Sequence, residues 1–428
     1  MVREGYKMTE LGEIPEDWEV KSLGEITKYR RGSFPQPYNL PEWYDDINGM
    51  PFVQVFDVDS NFKLKETTKR KISKIAAESS VFAKKGTVII TLQGTLGRTA
   101  ITQYDAYIDR TLLLFTEYLA PIEKMYFMYA LNVLFDFEKK KADGGVIKTI
   151  TKETLTKFTV AFPPLRDQQK IADILSTVDE QLEQTNQLID KTRELKKGLM
   201  QKLLTKGIGH TEFKQTEVGE IPVEWEITTI KEHAIDFRGG APITPKDFSK
   251  EGFKVVPKKA VRKGGKLVIE CENQTFVYNE FASKNKNSII NNQYLVTVLR
   301  DLVPTAPSIG LIVKFNTDDE YILAQGVYGL KLKSSLNENF LIQISNSYSF
   351  RQIMKSLKVG STQVHLRNED FLGVLIPYPL NEEQQKIADI LTSVDDQLED
   401  YKIKKAKIRV LKKGLMQQLL TGKIRVNA

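Results

Sequence analysis

Apolar residues fall three and four apart along two long stretches of this chain, and the two stretches are near-copies of each other. In Gln168–Ile208 the series is Ile171, Leu175, Val178, Leu182 and Ile189; in Gln384–Ile424 it is Ile387, Leu391, Val394, Leu398, Tyr401 and Ile408. That spacing predicts one long helix in each, carrying a narrow seam rather than a broad core face. The copies align without a gap and about 26 of 41 positions are identical, so the chain is an internal duplication. Near the end of each copy the phase moves to Leu195, Leu199 and Leu203, and to Leu411, Leu415 and Leu419, with Gly198 and Gly414 inside the shift. A shift of this kind is expected to change the supercoiling locally. A helix of about 40 residues is roughly 60 Å long, and its seam needs a partner helix, for which the other copy is the natural choice.

Charge selects the orientation. In the first copy Asp167, Asp173, Asp179, Glu180 and Glu183 crowd the N-terminal half, and Lys191, Arg193, Lys196, Lys197 and Lys202 the C-terminal half. The second copy repeats this, with Glu382 to Asp400 acidic and Lys402 to Lys413 basic. Parallel pairing stacks like on like, whereas antiparallel pairing sets each acidic half against a basic one. The same layout also complements each helix dipole, an effect that operates inside the pair as well. The expectation is an antiparallel coiled-coil pair with internal pseudo-two-fold symmetry.

The duplication extends beyond the helices. TELGEIPEDWEV and TEVGEIPVEWEI open the two halves, with Trp18 and Trp225 as anchors that pack each opening segment onto a core. In the first body Val53–Val58, Gly86–Leu92 and Tyr107–Tyr118 read as strands and Lys124–Lys141 as helix. In the second, Asn292–Leu299, Ile309–Phe315 and Tyr321–Lys333 read as strands and Asn337–Leu357 as helix. The predicted class is α+β: two mixed α/β domains, 1–164 and 207–380, separated by long antiparallel helices, the first at 165–206 and the second, with a C-terminal tail, at 381–428. Identity between the bodies is low from Pro242 to Gly360, so the frame is kept while the middle diverges. Each copy is then expected to read a different ligand.

Composition narrows the function. A hydrophobic fraction of 41% supports folded cores, and a net charge of +7 gives a mild preference for a polyanionic partner. The lone Cys271 rules out an internal disulfide framework and a cysteine-built zinc site, and suits a reducing cytoplasm. The start, MVREGYKMTE, has no apolar signal region, and no apolar run is long enough to span a bilayer. A catalytic constellation is missing: His210, His233 and His365 are far apart, and there is neither a GxxxxGK[ST] loop nor a GxGxxG. Phe162-Pro163-Pro164-Leu165 resembles the Asn-Pro-Pro-aromatic motif of amino-methyltransferases but lacks its polar first and aromatic last residues, and reads as a turn into the helix.

Contact candidates lie in loops. Arg31-Gly32-Ser33-Phe34-Pro35 corresponds to Arg238-Gly239-Gly240-Ala241-Pro242, and a basic residue at such a turn meets phosphate or simply faces solvent. The loop Gln93-Gly94-Thr95-Leu96-Gly97-Arg98 carries amide, hydroxyl and guanidinium groups suited to base edges, or is a tight hairpin. Ahead of each long helix, Gly144–Leu155 aligns with Gly360–Phe371. By residue type and loop position the DNA-contact candidates are Arg31, Gln93, Thr95, Arg98 and Lys148, then Arg238, Lys246, Arg300, Gln363 and Arg367. No catalytic residue, metal ligand or cofactor is assigned.

The GEIPxxW openings, the segments PPLRDQQKIADIL (Pro163–Leu175) and PLNEEQQKIADIL (Pro379–Leu391), and the endings LKKGLMQKLLT (Leu195–Thr205) and LKKGLMQQLLTGKI (Leu411–Ile424) together resemble the specificity subunits of type I restriction-modification systems. The resemblance covers essentially the whole chain. It implies a non-catalytic adaptor in the cytoplasm, whose two target-recognition domains each read half of a bipartite DNA sequence while the helices set the spacer. It also implies two methyltransferase subunits and, for cleavage, restriction subunits as partners, with methyl donor and ATP belonging to them. A non-enzymatic DNA-binding regulator or coiled-coil scaffold is the competing reading.

Overall fold

The computed structural model describes residues 2–59, 61–141, 155–269, 272, 274–301, 305–360 and 363–426. Both seamed stretches are helical, over Leu165–Lys206 and Asn381–Leu419. Each helix starts at the turn ahead of its glutamine pair: the Gln168 amide already bonds the Pro164 carbonyl at 3.1 Å, and the Gln384 amide that of Leu380 at 3.0 Å. The second stops before the expected Ile424, because Gly422 takes a φ of 68°, a left-handed conformation that ends helices.

The chain forms two compact units, Met1–Asn186 with Ile403–Ala428, and Gln187–Lys402. Each therefore contains the first part of one long helix and the last part of the other. In the first unit Ile171 and Leu175 pack with Leu419 and Leu420, and Asp179 meets Lys412 at 2.5 Å. In the second, Ile387 and Leu391 pack with Leu203 and Leu204, and Lys196 meets Asp395 at 2.6 Å. The helical segments run antiparallel in both units, as charge complementarity predicts, and the two residue numbers of either ion pair add to the same total. Asp179 and Asp395 occupy one position of the repeat, and Lys412 and Lys196 another, so the same contact is made twice.

The late phase shift is resolved differently from the expectation. Leu195 and Leu411 face solvent at 53% and 52% exposure, and the second unit's seam runs through Ile189, Thr192, Lys196, Leu199 and Leu203. Lysine takes the place assigned to leucine because an aspartate of the facing helix is there to receive it.

The buried Gln168 and Gln384 show what the repeated QQ motif does. The Gln168 amide group donates to the Pro163 carbonyl at 2.9 Å and its oxygen accepts the Glu123 N–H at 3.0 Å, just ahead of the Lys124–Lys141 helix. Gln384 repeats the pattern, donating to the Pro379 carbonyl at 2.8 Å and accepting from Asn337 at 2.8 Å. A buried amide is stable only when such partners are present, and here they tie each long helix to a helix of its own globular body. The openings are also alike: Trp18 and Trp225 are fully buried, their indole N–H groups reaching Asp167 at 3.4 Å and Glu383 at 2.9 Å.

The body of the first unit has an antiparallel sheet in the order Thr27–Arg31, Leu112–Tyr118, Val88–Thr91, Thr99–Ile101. Beside it a mixed sheet is ordered Arg70–Ile72, Met50–Val53, Ala106–Ile108, Val81–Ala83, with Phe52 and Tyr107 in its parallel pair. The second unit repeats this plan. Its antiparallel sheet is ordered Ala234–Gly239, Val327–Leu332, Leu295–Val298, Ile312–Lys314, and Val255 and Ile322 make the parallel pair of its mixed sheet.

Three predicted elements are broken by single polar residues. Val53–Val58 turns after Val53 into a 3-10 turn, Val55–Asp57, where the buried Asp57 carboxylate accepts the N–H groups of Gln54 and Lys69. Tyr107–Tyr118 splits at Asp109, whose side chain caps Thr111 at 2.8 Å. Asn337–Leu357 is two helices, Glu338–Asn346 and Tyr348–Leu357, because the Ser347 hydroxyl accepts the Phe350 N–H and starts a new helix. Tyr321–Lys333 likewise divides, at a turn in which the Val327 N–H bonds the Ala324 carbonyl at 2.9 Å.

Candidate nucleic-acid interface

In each antiparallel sheet the strand register brings sequence-distant loops to one end. In the first unit Arg31 pairs with Leu113 and Leu113 with Ile90, which sets Arg31 at the same sheet end as the loop leaving Thr91. Gly32 then passes tightly over the mixed sheet: a Cβ there would lie 2.2 Å from the Ile108 carbonyl oxygen. Gly32 is thus a packing requirement; in the second unit the same tight passage falls on Gly240, where a Cβ would lie 1.9 Å from the Ala324 carbonyl oxygen, and not on Gly239, which follows Arg238, while Arg31 itself is exposed.

The 93–98 loop is built rather than slack. The Arg98 N–H donates to the Thr91 hydroxyl at 2.9 Å, Leu96 is buried, and Gly97 has a φ of 77°. A Cβ on Gly97 would lie 2.6 Å from the Phe135 Cβ, so the loop sits directly on the Lys124–Lys141 helix. This leaves Gln93 and Thr95 exposed, while the Arg98 guanidinium donates to the Val58 carbonyl at 3.0 Å. Val55, Phe56, Val58, Asp59, Lys65, Thr95 and Arg98 line a cavity of about 390 Å³ here. Lys148 lies outside the described residues.

In the second unit Arg300 and Asp301 form a short ladder with Val364 and His365, Arg300 opposite His365, and the Leu366 N–H bonds the Leu299 carbonyl at 2.8 Å. That ladder gathers three candidates from two distant stretches, Arg300 from one and Gln363 and Arg367 from the other, all exposed. Arg238 stands at the same sheet end but its guanidinium is engaged, donating to Asp236 at 2.7 Å and to the Ile289 carbonyl at 2.6 Å, with the Tyr294 ring at 4.9 Å. The Tyr294 hydroxyl donates to the same Asp236, holding that carboxyl below the usual aspartate range, and burial pushes the Tyr294 phenol up to about 12. Lys246 is exposed on a separate turn, Pro245–Asp247.

Sequence reasoning missed a group of cations beside Arg300. Lys258, Lys259, Arg262 and Lys263 line, with Arg300 and Asp301, a cavity of about 480 Å³. Burial, with the Arg300 charge added, holds the Lys258 amine below the usual lysine range. The run KKAVRKGGK was visible in the sequence as charge, but only the fold sets it against Arg300. Among the described residues no cluster of His, Cys, Asp and Glu could hold a metal, and no helix is long and apolar enough to cross a membrane.

Two α+β units with one plan, polar and cationic loops at matching sheet ends, and antiparallel helical segments in each define a duplicated recognition protein. The family described as "Type I restriction modification DNA specificity domain" matches residues 15–192 and 222–408. The chain is 28% identical to the type I restriction enzyme MjaVIII specificity subunit of Methanocaldococcus jannaschii over 427 residues, covering 96% of this chain and 94% of the relative. It is also 28% identical to the putative type I restriction enzyme MjaX specificity subunit of the same organism, covering 99% and 97%. A solved type I restriction-modification S subunit from M. genitalium shares the fold with a TM-score of 0.58 at 16% identity, covering 98% of this chain and 99% of that one. A chain from a structure concerned with complex assembly and conformational transition of the type I R-M system aligns with a TM-score of 0.57 at 15% identity, covering 96% and 99%. This chain belongs to the type I restriction-modification specificity family, as a non-catalytic subunit that recognises DNA.

Proposed function

We propose that the chain reads a bipartite, asymmetric DNA target, one half through each recognition domain, 1–164 and 207–380, with the long helices setting the gap between the halves. The observation that supports this reading most is the repetition of one sheet-end architecture with different residues on it: Gln93 and Thr95 in one unit, Arg300, Gln363 and Arg367 in the other. Amides, hydroxyls and guanidinium groups on rigid loops suit base edges in the major groove, and two differently furnished loops suit two different half-sites. The chain acts in the cytoplasm as an adaptor that recruits two methyltransferase subunits and, for cleavage, restriction subunits, and those partners supply methyl donor and ATP chemistry. Methylome sequencing of a host expressing the whole system tests the reading. It predicts a gapped motif with unlike halves; a continuous palindrome contradicts it.

A further inference from the structure

The geometry points to a phosphate clamp in the second unit: we propose that the cleft between the Lys258–Ala260 turn and Arg300 grips the DNA backbone and supplies most of the salt dependence of binding. The corresponding cleft of the first unit contributes little. This deepens, and rests on, the reading of the chain as a two-part DNA reader.

The two clefts are topological equivalents. Each lies between the 3-10 turn that follows the parallel strand of the mixed sheet and the segment that follows a central strand of the antiparallel sheet. In the first unit these are Val55–Asp57 after Met50–Val53, and Gln93 onward after Val88–Thr91. In the second they are Lys258–Ala260 after Phe253–Val256, and Arg300 with Asp301 after Leu295–Val298. Lys258 and Lys259 thus stand where the first unit has Val55 and Phe56.

The charge differs sharply between the two places. Five cations and one carboxylate line the second unit's cleft. Lys258, Lys259, Lys263 and Arg300 form no salt bridge with any described residue, and the Asp301 carboxylate accepts the Ser308 hydroxyl at 2.9 Å. Elsewhere in the same unit lysines do find acids: Lys254 meets Asp319, Lys266 meets Glu399 and Lys314 meets Glu338. The stems of Lys258 and Arg300 converge on Gly326, where a Cβ would lie 2.9 Å from the Lys258 Cε and 2.8 Å from the Arg300 Cβ. Cations held this close repel one another until an anion enters, and phosphate is the anion a DNA reader meets. In the first unit's cleft, Lys65 and Arg98 stand with Asp59, and the Arg98 guanidinium is bonded to the Val58 carbonyl.

The test is the slope of log affinity against log salt for the full-length chain on random-sequence duplex DNA, where backbone contacts dominate. The slope changes by about 0.9 for each phosphate neutralised. Lys258→Gln/Lys259→Gln/Lys263→Gln is expected to flatten it by about 2 to 3, Lys65→Gln by less than about 1, and Phe56→Lys is expected to steepen it by about 1. If the triple variant fails to fold, Lys259→Gln and Lys263→Gln alone, both at exposed positions, are each expected to flatten the slope by about 1. An unchanged slope in folded lysine variants, or a loss from Lys65→Gln as large as theirs, overturns the clamp. Tight binding of inorganic triphosphate that the triple variant abolishes, with the DNA slope unchanged, reassigns the cleft to a free anion and overturns it too. A gapped methylation motif together with an unchanged slope would reject the clamp and leave the two-part reading standing.

Discussion

Replacing Asp395 with alanine is expected to loosen the helix seam of the second unit. The carboxylate accepts the Lys196 ammonium at 2.6 and 2.7 Å and the Gln343 amide at 3.0 Å. The Lys196 and Asp395 side chains are only 12% and 15% exposed. Removing one partner of a buried ion pair leaves the other charge uncompensated, which costs about 3–5 kcal/mol. The residual exposure, and the freedom of a lysine to extend its ammonium toward water, place this case near about 3 kcal/mol. For a unit of this size each kcal/mol moves the melting temperature by about 2–4 °C, so the second unit's transition should fall by roughly 6–12 °C. The double variant Lys196→Met/Asp395→Leu is the informative companion, because apolar replacements of a buried pair are often neutral or stabilising. Differential scanning calorimetry on the full chain is the assay. A shift below about 1 °C for Asp395→Ala, or a double variant as unstable as the single, refutes the claim that this pair is a buried, mutually dependent contact.

Other outcomes follow from single contacts. Gln384→Ala should cost about 2 kcal/mol, measured by urea unfolding, since it strands the Pro379 carbonyl and the Asn337 N–H. Gly97→Ala should destabilise the first unit by at least about 1 kcal/mol and weaken DNA binding, because a left-handed residue would press its Cβ into Phe135 and displace Gln93 and Thr95. Asp236→Asn should show a pH signature. The Asp236 carboxyl is held below its ordinary 3.8, by the Tyr294 hydroxyl and then Arg238, so its stabilising contribution is present above that value. It is lost as pH falls through the lowered value, and the melting-temperature gap between wild type and Asp236→Asn should narrow as the pH is taken below 3.8.

The helices and their direction could be read from the sequence because the apolar period, the repeat and the charge halves all agree. Leu195 could not, since counting apolar rows gives no reason to put Lys196 on the seam until Asp395 is known to face it. Strand and helix limits failed where one short polar side chain redirects the backbone, at Asp57 and Asp109 in strands and at Ser347 in a helix, because such bonds compete locally with the regular backbone pattern. In the candidate interface, residue type singled out Arg300, Gln363 and Arg367, while the ladder that gathers them joins stretches far apart in the chain. The same lack of long-range information hid both the engagement of Arg238 by Asp236 and the meeting of Lys258 with Arg300.

The most direct test of the central claim is to map methylation in a host expressing the system with Gln93→Ala/Thr95→Ala in this subunit. Loss of a good bidentate base contact removes about 1–3 kcal/mol of discrimination at the base it reads. The account predicts a motif made degenerate within one half, with the other half and the gap unchanged. A motif altered in both halves, or in neither, contradicts the assignment of one half-site to each unit.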